Sequence, residues 1–302
     1  MIDTMIFDFR LQVFHTAARR LSFTKAAEEL FITQPAVTKH IKELEHQFNN
    51  KLFERRGNNI VLTQAGKVLQ LHTQELVAIY NKMEEEMASL SGGTKGNLNI
   101  GSSTTIAQYI LPAMFADFRS KFNDVSLKIT TKNTEDIEQG LISGEIDLGF
   151  IEGHIKNKQI KYIPFLKDDI VLVGRAGHPW ASKKNISIAD LLNVPLIMRE
   201  YGSGTLEVVR FALEKAGLKW NQLNIEMQLD STEAAKSYLL HSDSLAFISK
   251  HAINVAETGN LFEIISIKNL TIQRPLNAIH LHGTPSKLAQ LFLKFILNHN
   301  HR

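Results

Sequence analysis

Gln34, Thr38, Lys39 and Lys42 share one side of a segment whose other side is Val37, Ile41 and Leu44. The three apolar residues recur at i, i+4 and i+7, the repeat of one helical face, so they point to a core and leave the polar four outside. Those four carry groups that suit a nucleic-acid duplex. The Gln34 amide matches the adenine edge, and the Thr38 hydroxyl reaches a base edge or a phosphate. The Lys39 and Lys42 ammonium groups suit guanine or backbone. Thr33 can cap this helix, and Pro35 falls in its first turn, where a missing N–H costs little. An ordinary helical hairpin with a solvated face would look the same, so the neighbouring segments must decide.

A second set of polar groups lies further along. "GSSTT", 101–105, follows a strand pattern and precedes a helical one. It offers Ser102, Ser103, Thr104 and Thr105 with backbone N–H groups at a helix start, where the dipole favours anions. "REYGSGT", 199–205, repeats the arrangement after "PLIM". There Gly202 and Gly204 let backbone approach a ligand, Ser203 and Thr205 can donate, and Arg199 suits planar or tetrahedral oxyanions. "DSTEAA", 230–235, is a third hydroxylated helix start and contains Thr232. Each alone also reads as a helix cap. Three at strand ends fall where open α/β sheets bind ligands.

The elements that must position these residues can be read around them. Phe23, Ala26, Ala27 and Leu30 share a helical face, and Ser22 or Thr24 can cap that helix. Phe31 and Ile32 make a short apolar turn before the helix that begins near Thr33. Two helices in such close succession, small where they cross, describe a helix-turn-helix. "LFERRGNNIVLT", 52–63, has strand-like ends around Gly57-Asn58-Asn59, a hairpin wing with Arg55 and Arg56 beside it. Cations there supply sequence-independent, salt-sensitive affinity for phosphates. Residues 63–91 lack proline, and Leu69, Leu76, Met83 and Leu90 recur every seven residues, with Tyr80 and Met87 beside them. That stripe reads either as a dimerisation seam or as a helix packed on its own domain, and the dimer is favoured.

"SGGTKGN", 91–97, reads as a turn or linker, and the pattern then changes. "NLNIG" and "VSLKIT" alternate like half-buried strands around the helical "LPAMFADFRSKF". "DLGFI", "IVLVG", "PLIM", "LAFIS" and "FEIISI" add strands, separated by helices such as 204–216 and 286–297. The alternation predicts an α/β domain with mostly parallel strands and helices on both faces.

Composition sets outer bounds. The 302 residues are 44% hydrophobic and 22% charged, enough for two or three packed units. Net charge is only +3, and residues 1–66 carry nine basic against seven acidic side chains, so any phosphate-binding patch must come from geometry. The chain has no cysteine, which removes disulfides, thiolate catalysis and cysteine-bearing zinc sites. "MIDTMIFDFR" does not read as a signal peptide, and no apolar run approaches the ~18 residues of a membrane span, so a cytoplasmic location is expected.

The string "FHTAARRLSFTKAAEELFITQPAVTKHIKELE", followed by "LFERRG" and "LTQAG", resembles the DNA-binding head of the LysR-type transcriptional regulators. The resemblance covers about 55 residues in order: helix pair, Gln-Pro start, wing and linker helix. It implies an α+β multidomain chain: a winged helix-turn-helix at 1–62, a linker and dimerisation helix at 63–92, and an effector-binding domain at 93–302. That domain would be two α/β lobes of the type 2 periplasmic-binding-protein kind. Exchanges near 165–168 and 266–268 give lobe one 93–166 and 267–302, and lobe two 167–266. Double-stranded DNA carrying an interrupted palindrome, a dimer or tetramer of this chain, and RNA polymerase are the implied partners. The DNA-contacting residues expected are Thr24, Thr33, Gln34, Pro35, Thr38, Lys39, Lys42, Arg55 and Arg56.

The second half is similar to one LysR branch, which includes regulators of sulfur assimilation and carbon fixation. That similarity rests on "GSSTTIAQYILP", "TEDIEQGLISGEIDLGFIEG", "REYGSGT" and "STEA". It implies no resident cofactor and a small anionic effector: sulfate, sulfite, a sulfur intermediate or a phosphorylated metabolite. Carried over by position, the effector residues are Ser103, Thr105, Arg199, Ser203, Thr205 and Thr232, with Ser102 and Glu152 beside them. A carboxylate at 152 would repel an anion unless paired, so Glu152 is expected to face Arg199 or to read a ligand hydroxyl. The chain departs from the branch at Glu200-Tyr201, where a proline is usual.

Other classes fit less well. "YGSGT" lacks the nucleophile-elbow spacing, no Walker loop is present, and the twelve histidines show no metal spacing. The chain therefore does not read as an enzyme. A solute-binding protein would share a two-lobed anion cleft but not the first 90 residues, and a DNA-binding protein with vestigial lobes is the remaining alternative.

Overall fold

The computed structural model describes residues 8–56, 59–90, 95–153, 157–183, 186–253 and 259–299. Its contacts divide the chain into two compact units, Met1–Gly93 and Thr94–Arg302.

The first unit runs α1 (Phe9–Arg20), α2 (Phe23–Leu30), α3 (Gln34–Gln47), β1 (Phe53–Arg56), β2 (Asn59–Leu62) and α4 (Gln64–Leu90). Local chemistry sets each start. Ser22 Oγ accepts the Lys25 N–H at 3.3 Å, so Ser22 and not Thr24 caps α2. Thr33 Oγ1 accepts the Ala36 N–H at 3.3 Å to cap α3. Both α1 and α2 stop at a left-handed residue, Leu21 and Phe31. Val13, Phe14, Ala17, Ala26, Ala27, Val37, Ile41 and Leu44 form one buried core. The alanines let three helices approach closely, and a larger side chain there would overpack by ~1–3 kcal/mol.

Glu45 ties α3 to the wing, accepting the Leu52 N–H at 2.9 Å and pairing with Lys51 at 2.9 Å. β1 and β2 pair antiparallel; the Gly57-Asn58 tip and the Arg56 side chain lie outside the described residues. Thr63 Oγ1 accepts the Gly66 N–H at 3.0 Å at the start of α4. A Cβ on Gly66 would sit 2.1 Å from the Leu52 carbonyl oxygen, so only glycine permits that approach.

The heptad stripe divides. Leu69 packs on the helix-turn-helix core, whereas Leu76, Ile79 and Met83 are exposed. The side chains of Met87 and Leu90 lie outside the described residues. The exposed part of the stripe therefore begins a heptad later than the spacing suggests, because the head covers Leu69.

The second unit runs β3 (Gly96–Ser103), α5 (Thr104–Tyr109), α6 (Leu111–Lys121), β4 (Val125–Lys132), α7 (Thr134–Ile142), β5 (Leu148–Glu152) and the long β6 (Ile160–Arg175). After these come β7 (Leu196–Arg199), α8 (Gly204–Lys215), β8 (Ile225–Leu229), α9 (Thr232–Leu239) and β9 (Leu245–Ser249). β10 (Phe262–Ile265), β11 (Ile272–Leu281) and α10 (Lys287–His299) close the chain. Strand order is β4-β3-β5-β11-β6-β9-β7-β8, with β10 on β6.

The sheet holds two lobes. β3, β4 and β5 are parallel in one, and β7, β8 and β9 in the other. The strands between them correct the expectation of a mostly parallel sheet. β6 runs antiparallel to β9, β10 and β11, and β11 antiparallel to β5, because one strand leaves the first lobe and the other returns. Phe165 packs in the first core with Phe118, Phe150 and Phe292, while Ile170 packs in the second with Leu196 and Phe247. On return, Ile267 and Ile272 still belong to the second core and Leu276 to the first. The second exchange thus lies at 272–276 and not near 266–268.

Candidate functional site

In the first unit the outward side of α3 is polar as expected. Val37, Ile41 and Leu44 are buried, Gln34, Pro35, Lys39 and Lys42 are exposed, and Thr38 is half-buried. The Gln34 amide donates to Thr38 Oγ1 at 3.0 Å, and that hydroxyl donates to the Gln34 carbonyl oxygen at 3.2 Å. The pair is therefore preset as one hydrogen-bonding surface. Lys39 stands 4.0 Å from Glu43, an exposed contact that contributes little, and Lys42 is exposed. Thr33 is exposed, but its hydroxyl oxygen already accepts the cap bond. Thr24 and Arg55 are exposed on α2 and β1.

Sequence reasoning missed two neighbours. Arg10 lines one concave surface with Pro35, Thr38, Lys39 and Lys42. It is hydrogen-bonded to Asp8, and that bond holds the Asp8 carboxyl below the usual carboxylate range. Phe31, read as part of an apolar turn, is 81% exposed just before α3.

In the second unit the three hydroxylated segments converge where the lobes meet. Thr105, Arg199, Thr205, Thr232, Met198 and Ser249 line one enclosed space of about 10 Å³, room for roughly one water. Ser103 and Ser203 stand at the starts of α5 and α8, and neither caps its helix. Both hydroxyls are buried without a hydrogen-bond partner among the described residues. Leaving such a group unsatisfied costs about 1–3 kcal/mol, so these two oxygens want a ligand or water. Ser102 differs: its hydroxyl donates to the Ser103 carbonyl oxygen at 3.2 Å, so it has a partner already.

Arg199 is held by several acceptors. Its Nε donates to Glu200 Oε2 at 2.8 Å, and Nη2 donates to Glu200 Oε1 at 3.1 Å. Nη2 also donates to the Asp230 carbonyl oxygen at 3.0 Å and, across the lobe boundary, to Thr104 Oγ1 at 3.1 Å. Thr232 Oγ1 lies 3.4 Å from Nη1.

Glu152 does not face Arg199, which corrects the first of the two roles expected for it. Its Oε1 is 3.3 Å from Arg274 Nη1 and accepts from Thr205 Oγ1 at 3.3 Å, while Oε2 has no partner. Arg274 Nη1 also donates to Thr205 Oγ1 at 2.7 Å, and Nε donates to Asp168 Oδ2 at 2.8 Å. Ser249 Oγ donates to Asp168 Oδ1 at 2.7 Å. Thr205 is therefore committed to this buried network. Asp168 sits on β6 and Arg274 on β11, the two crossing strands. Arg274, Asp168 and Ser249 were not singled out from sequence, and Glu200 only as a departure from the branch pattern; a charged residue in an otherwise strand-like run, as in "IQRPL", was the available signal.

Further bonds join the lobes. The Glu135 N–H donates to the Gly202 carbonyl oxygen at 3.3 Å, and the Tyr109 hydroxyl donates to Glu233. Burial pushes the Glu233 carboxyl up, but hydrogen bonds from Lys236 and Tyr109 outweigh it and leave it below the ordinary range. A Cβ on Gly204 would sit 2.3 Å from the Glu152 carbonyl oxygen, so glycine lets α8 meet the opposite lobe. Among the described residues, no three His, Asp or Glu side chains could hold a metal ion, and no helix is long and apolar enough to cross a membrane.

Comparison with known proteins gives the same division. A family described as the LysR substrate binding domain matches residues 91–300, and one described as the bacterial regulatory helix-turn-helix protein, lysR family, matches residues 9–67. The HTH-type transcriptional regulator CysL of Bacillus subtilis is 31% identical over 270 residues, 89% of each chain. The HTH-type transcriptional activator CmpR of a Synechocystis species is 31% identical over 292 residues, 96% of this chain and 95% of CmpR. The solved CcmR regulatory domain of Synechocystis, in complex with 2-PG, is 26% identical with a TM-score of 0.63, covering 68% of this chain and 98% of that one.

Proposed function

The chain belongs to the LysR family of DNA-binding transcriptional regulators, and from that premise we propose that it senses a small oxyanion in the cleft between its α/β lobes. The observation that carries the cleft reading is the pair of buried hydroxyls of Ser103 and Ser203, without partners among the described residues, at the starts of α5 in one lobe and α8 in the other. Thr105 and Thr232 complete the lining. Ser102 and Glu152 support the cleft without meeting the ligand, and Thr205 lines it with its hydroxyl already bonded to Glu152 and Arg274. The 2-PG (2-phosphoglycolate) bound by the similar CcmR domain favours a phosphorylated metabolite over sulfate or sulfite. We assign no catalytic residue, metal or resident cofactor.

On DNA, α3 enters the major groove. Gln34 and Thr38 read base edges, while Lys39, Lys42, Arg55 and Arg56 hold phosphates. Thr33 and Pro35 shape the helix start, and Thr24 contacts backbone from α2. The exposed Leu76, Ile79 and Met83 of α4 pair two copies, which puts two heads on the half-sites of an interrupted palindrome; a tetramer and contact with RNA polymerase follow from the same reading. Such a regulator works in the cytoplasm.

Two measurements test this. Duplexes selected from a random pool by the purified protein should yield a dyad sequence whose binding weakens steeply with salt. Calorimetry with 2-phosphoglycolate, inorganic phosphate and sulfate should give heat with at least one. No selected sequence would remove the DNA assignment, and no heat from any anion would remove the cleft assignment.

A further inference from the structure

We propose that Glu200 is a built-in competitor for the effector: its carboxylate fills the Arg199 fork that an incoming oxyanion needs. The competition sets the anion concentration at which the regulator responds. It rests on the cleft reading above and adds a regulatory residue to it.

The geometry is that of a bound anion. Glu200 Oε2 and Oε1 lie 2.8 and 3.1 Å from Arg199 Nε and Nη2, the paired bonds that a ligand carboxylate or phosphate makes with arginine. The other Arg199 contacts are to neutral oxygens, those of the Asp230 carbonyl, Thr104 and Thr232, so Glu200 is the charged partner that the structure gives it. An oxyanion that takes the Nε–Nη2 fork must displace Glu200.

Charge leads to the same place. Arg199 and Arg274 supply two cations around the cleft, while Glu152, Asp168 and Glu200 supply three carboxylates. Arg274 is spoken for by Glu152 and Asp168, both buried with it. With Glu200 in place the cleft holds no surplus positive charge, and a further anion would meet net repulsion. Once Glu200 swings away, Arg199 becomes the free cation.

The two partners also differ in mobility. The Arg199 side chain is 7% exposed and held by several acceptors, whereas that of Glu200 is 23% exposed and is followed by Tyr201, 70% exposed at the surface. Glu200 can leave for water, and Arg199 stays. A ligand wins only by offering more than a carboxylate does. A phosphate or sulfate, with further oxygens for the Thr105 and Thr232 hydroxyls that line the space with Arg199, meets that condition; a lone monocarboxylate does not.

The test is calorimetry on the full chain with inorganic phosphate, 2-phosphoglycolate and acetate. Wild type, Glu200→Gln, Glu200→Asp and Arg199→Gln are compared, with melting in the absence of anion as the control for folding. Glu200→Gln should bind phosphate and 2-phosphoglycolate about tenfold more tightly or better, since it removes a charge-assisted competitor. Acetate should bind detectably only in that variant, and adding Arg199→Gln to it should abolish the gain. Should Glu200→Gln melt well below wild type, Glu200→Asp, with its shorter reach to the fork, carries the comparison and should also bind more tightly. Unchanged or weaker binding in both Glu200 variants, while wild type binds, would overturn the competition and leave the anion cleft standing. No binding of any probe to any of the proteins would overturn the cleft itself and the competition with it.

Discussion

Replacing Arg274 is the sharpest test of how the effector unit is held together. Its side chain is 0% exposed, and the Glu152 and Asp168 side chains that it pairs with are 2% and 0% exposed. A buried pair broken by removing one partner costs about 3–5 kcal/mol, because a charge is left without compensation. Arg274→Met keeps much of the length and leaves two carboxylates uncompensated, so the upper part of that range applies. At roughly 2–4 °C per kcal/mol for a unit of this size, about 4–5 kcal/mol should lower the effector-unit transition by roughly 8–20 °C. Scanning calorimetry of the full chain reads this transition beside that of the DNA-binding unit, which should not move. Neutralising the stranded acids as well, with Glu152→Gln and Asp168→Asn, should restore most of the loss, since a buried ionic cluster replaced by neutral groups is often near break-even. A single variant that melts within a degree or so of wild type would refute the reasoning, and so would a triple variant no better than the single one.

Other outcomes follow from the same geometry. Thr38→Ala should cost about 1–3 kcal/mol on the selected operator but little on random duplex, whereas Lys42→Ala should weaken both and lower the salt slope by about one; anisotropy titrations at several salt concentrations separate the two. Leu76→Glu together with Met83→Glu puts charge on the exposed α4 stripe and should shift sedimentation from dimer to monomer; an unchanged distribution would place the dimer contact elsewhere. Burial pushes the His280 imidazole pKa down, with Lys161 and His282 adding to it and outweighing the hydrogen bond to the Leu281 carbonyl oxygen. The folded state then binds fewer protons than the unfolded one, so stability is lost as pH falls through the ordinary histidine value of about 6.5. Melting at pH values on either side of that point should show a fall that His280→Gln reduces.

The parts readable from sequence are those fixed by short-range rules. Val37, Ile41 and Leu44 announce the buried face of α3 because a helix repeats every 3.6 residues, and Ser22 and Thr33 mark starts because their hydroxyls accept nearby N–H groups. Partnership across long separations was not readable. Arg274 lies 106 positions from Asp168, and nothing local shows that "IQRPL" brings its arginine under "GSGT". Arg199, one of the two partners expected of Glu152, is accordingly not the one it meets. The heptad spacing of Leu69 to Leu90 could not say which partner each residue meets, since spacing identifies a face and not what covers it. The antiparallel run of β6 and β11 escaped for a related reason. Strand pattern shows burial, whereas direction depends on where the chain has to return.

The contacts between the lobes limit what a ligand can do. Arg199 to Thr104, Glu135 to Gly202, Tyr109 to Glu233 and Thr205 to Glu152 all join one lobe to the other with no ligand taking part. Each contributes on the order of 1 kcal/mol, so closure does not need an effector to supply its whole driving force. An effector shifts the balance only by the difference between what it gains in the closed and open arrangements. Contacts to Arg199 alone would replace Glu200 and add little to that difference. The Ser103 and Ser203 hydroxyls are another matter, since they stand on different lobes and neither has a partner among the described residues. Binding to the closed form should therefore depend on these two serines more than on the arginine. Replacing both with alanine should uncouple anion binding from any change in operator affinity, even where Arg199 still holds the anion. Operator titrations with and without 2-phosphoglycolate would show this, and a ligand response that survives in the double variant would mean that closure is driven from elsewhere.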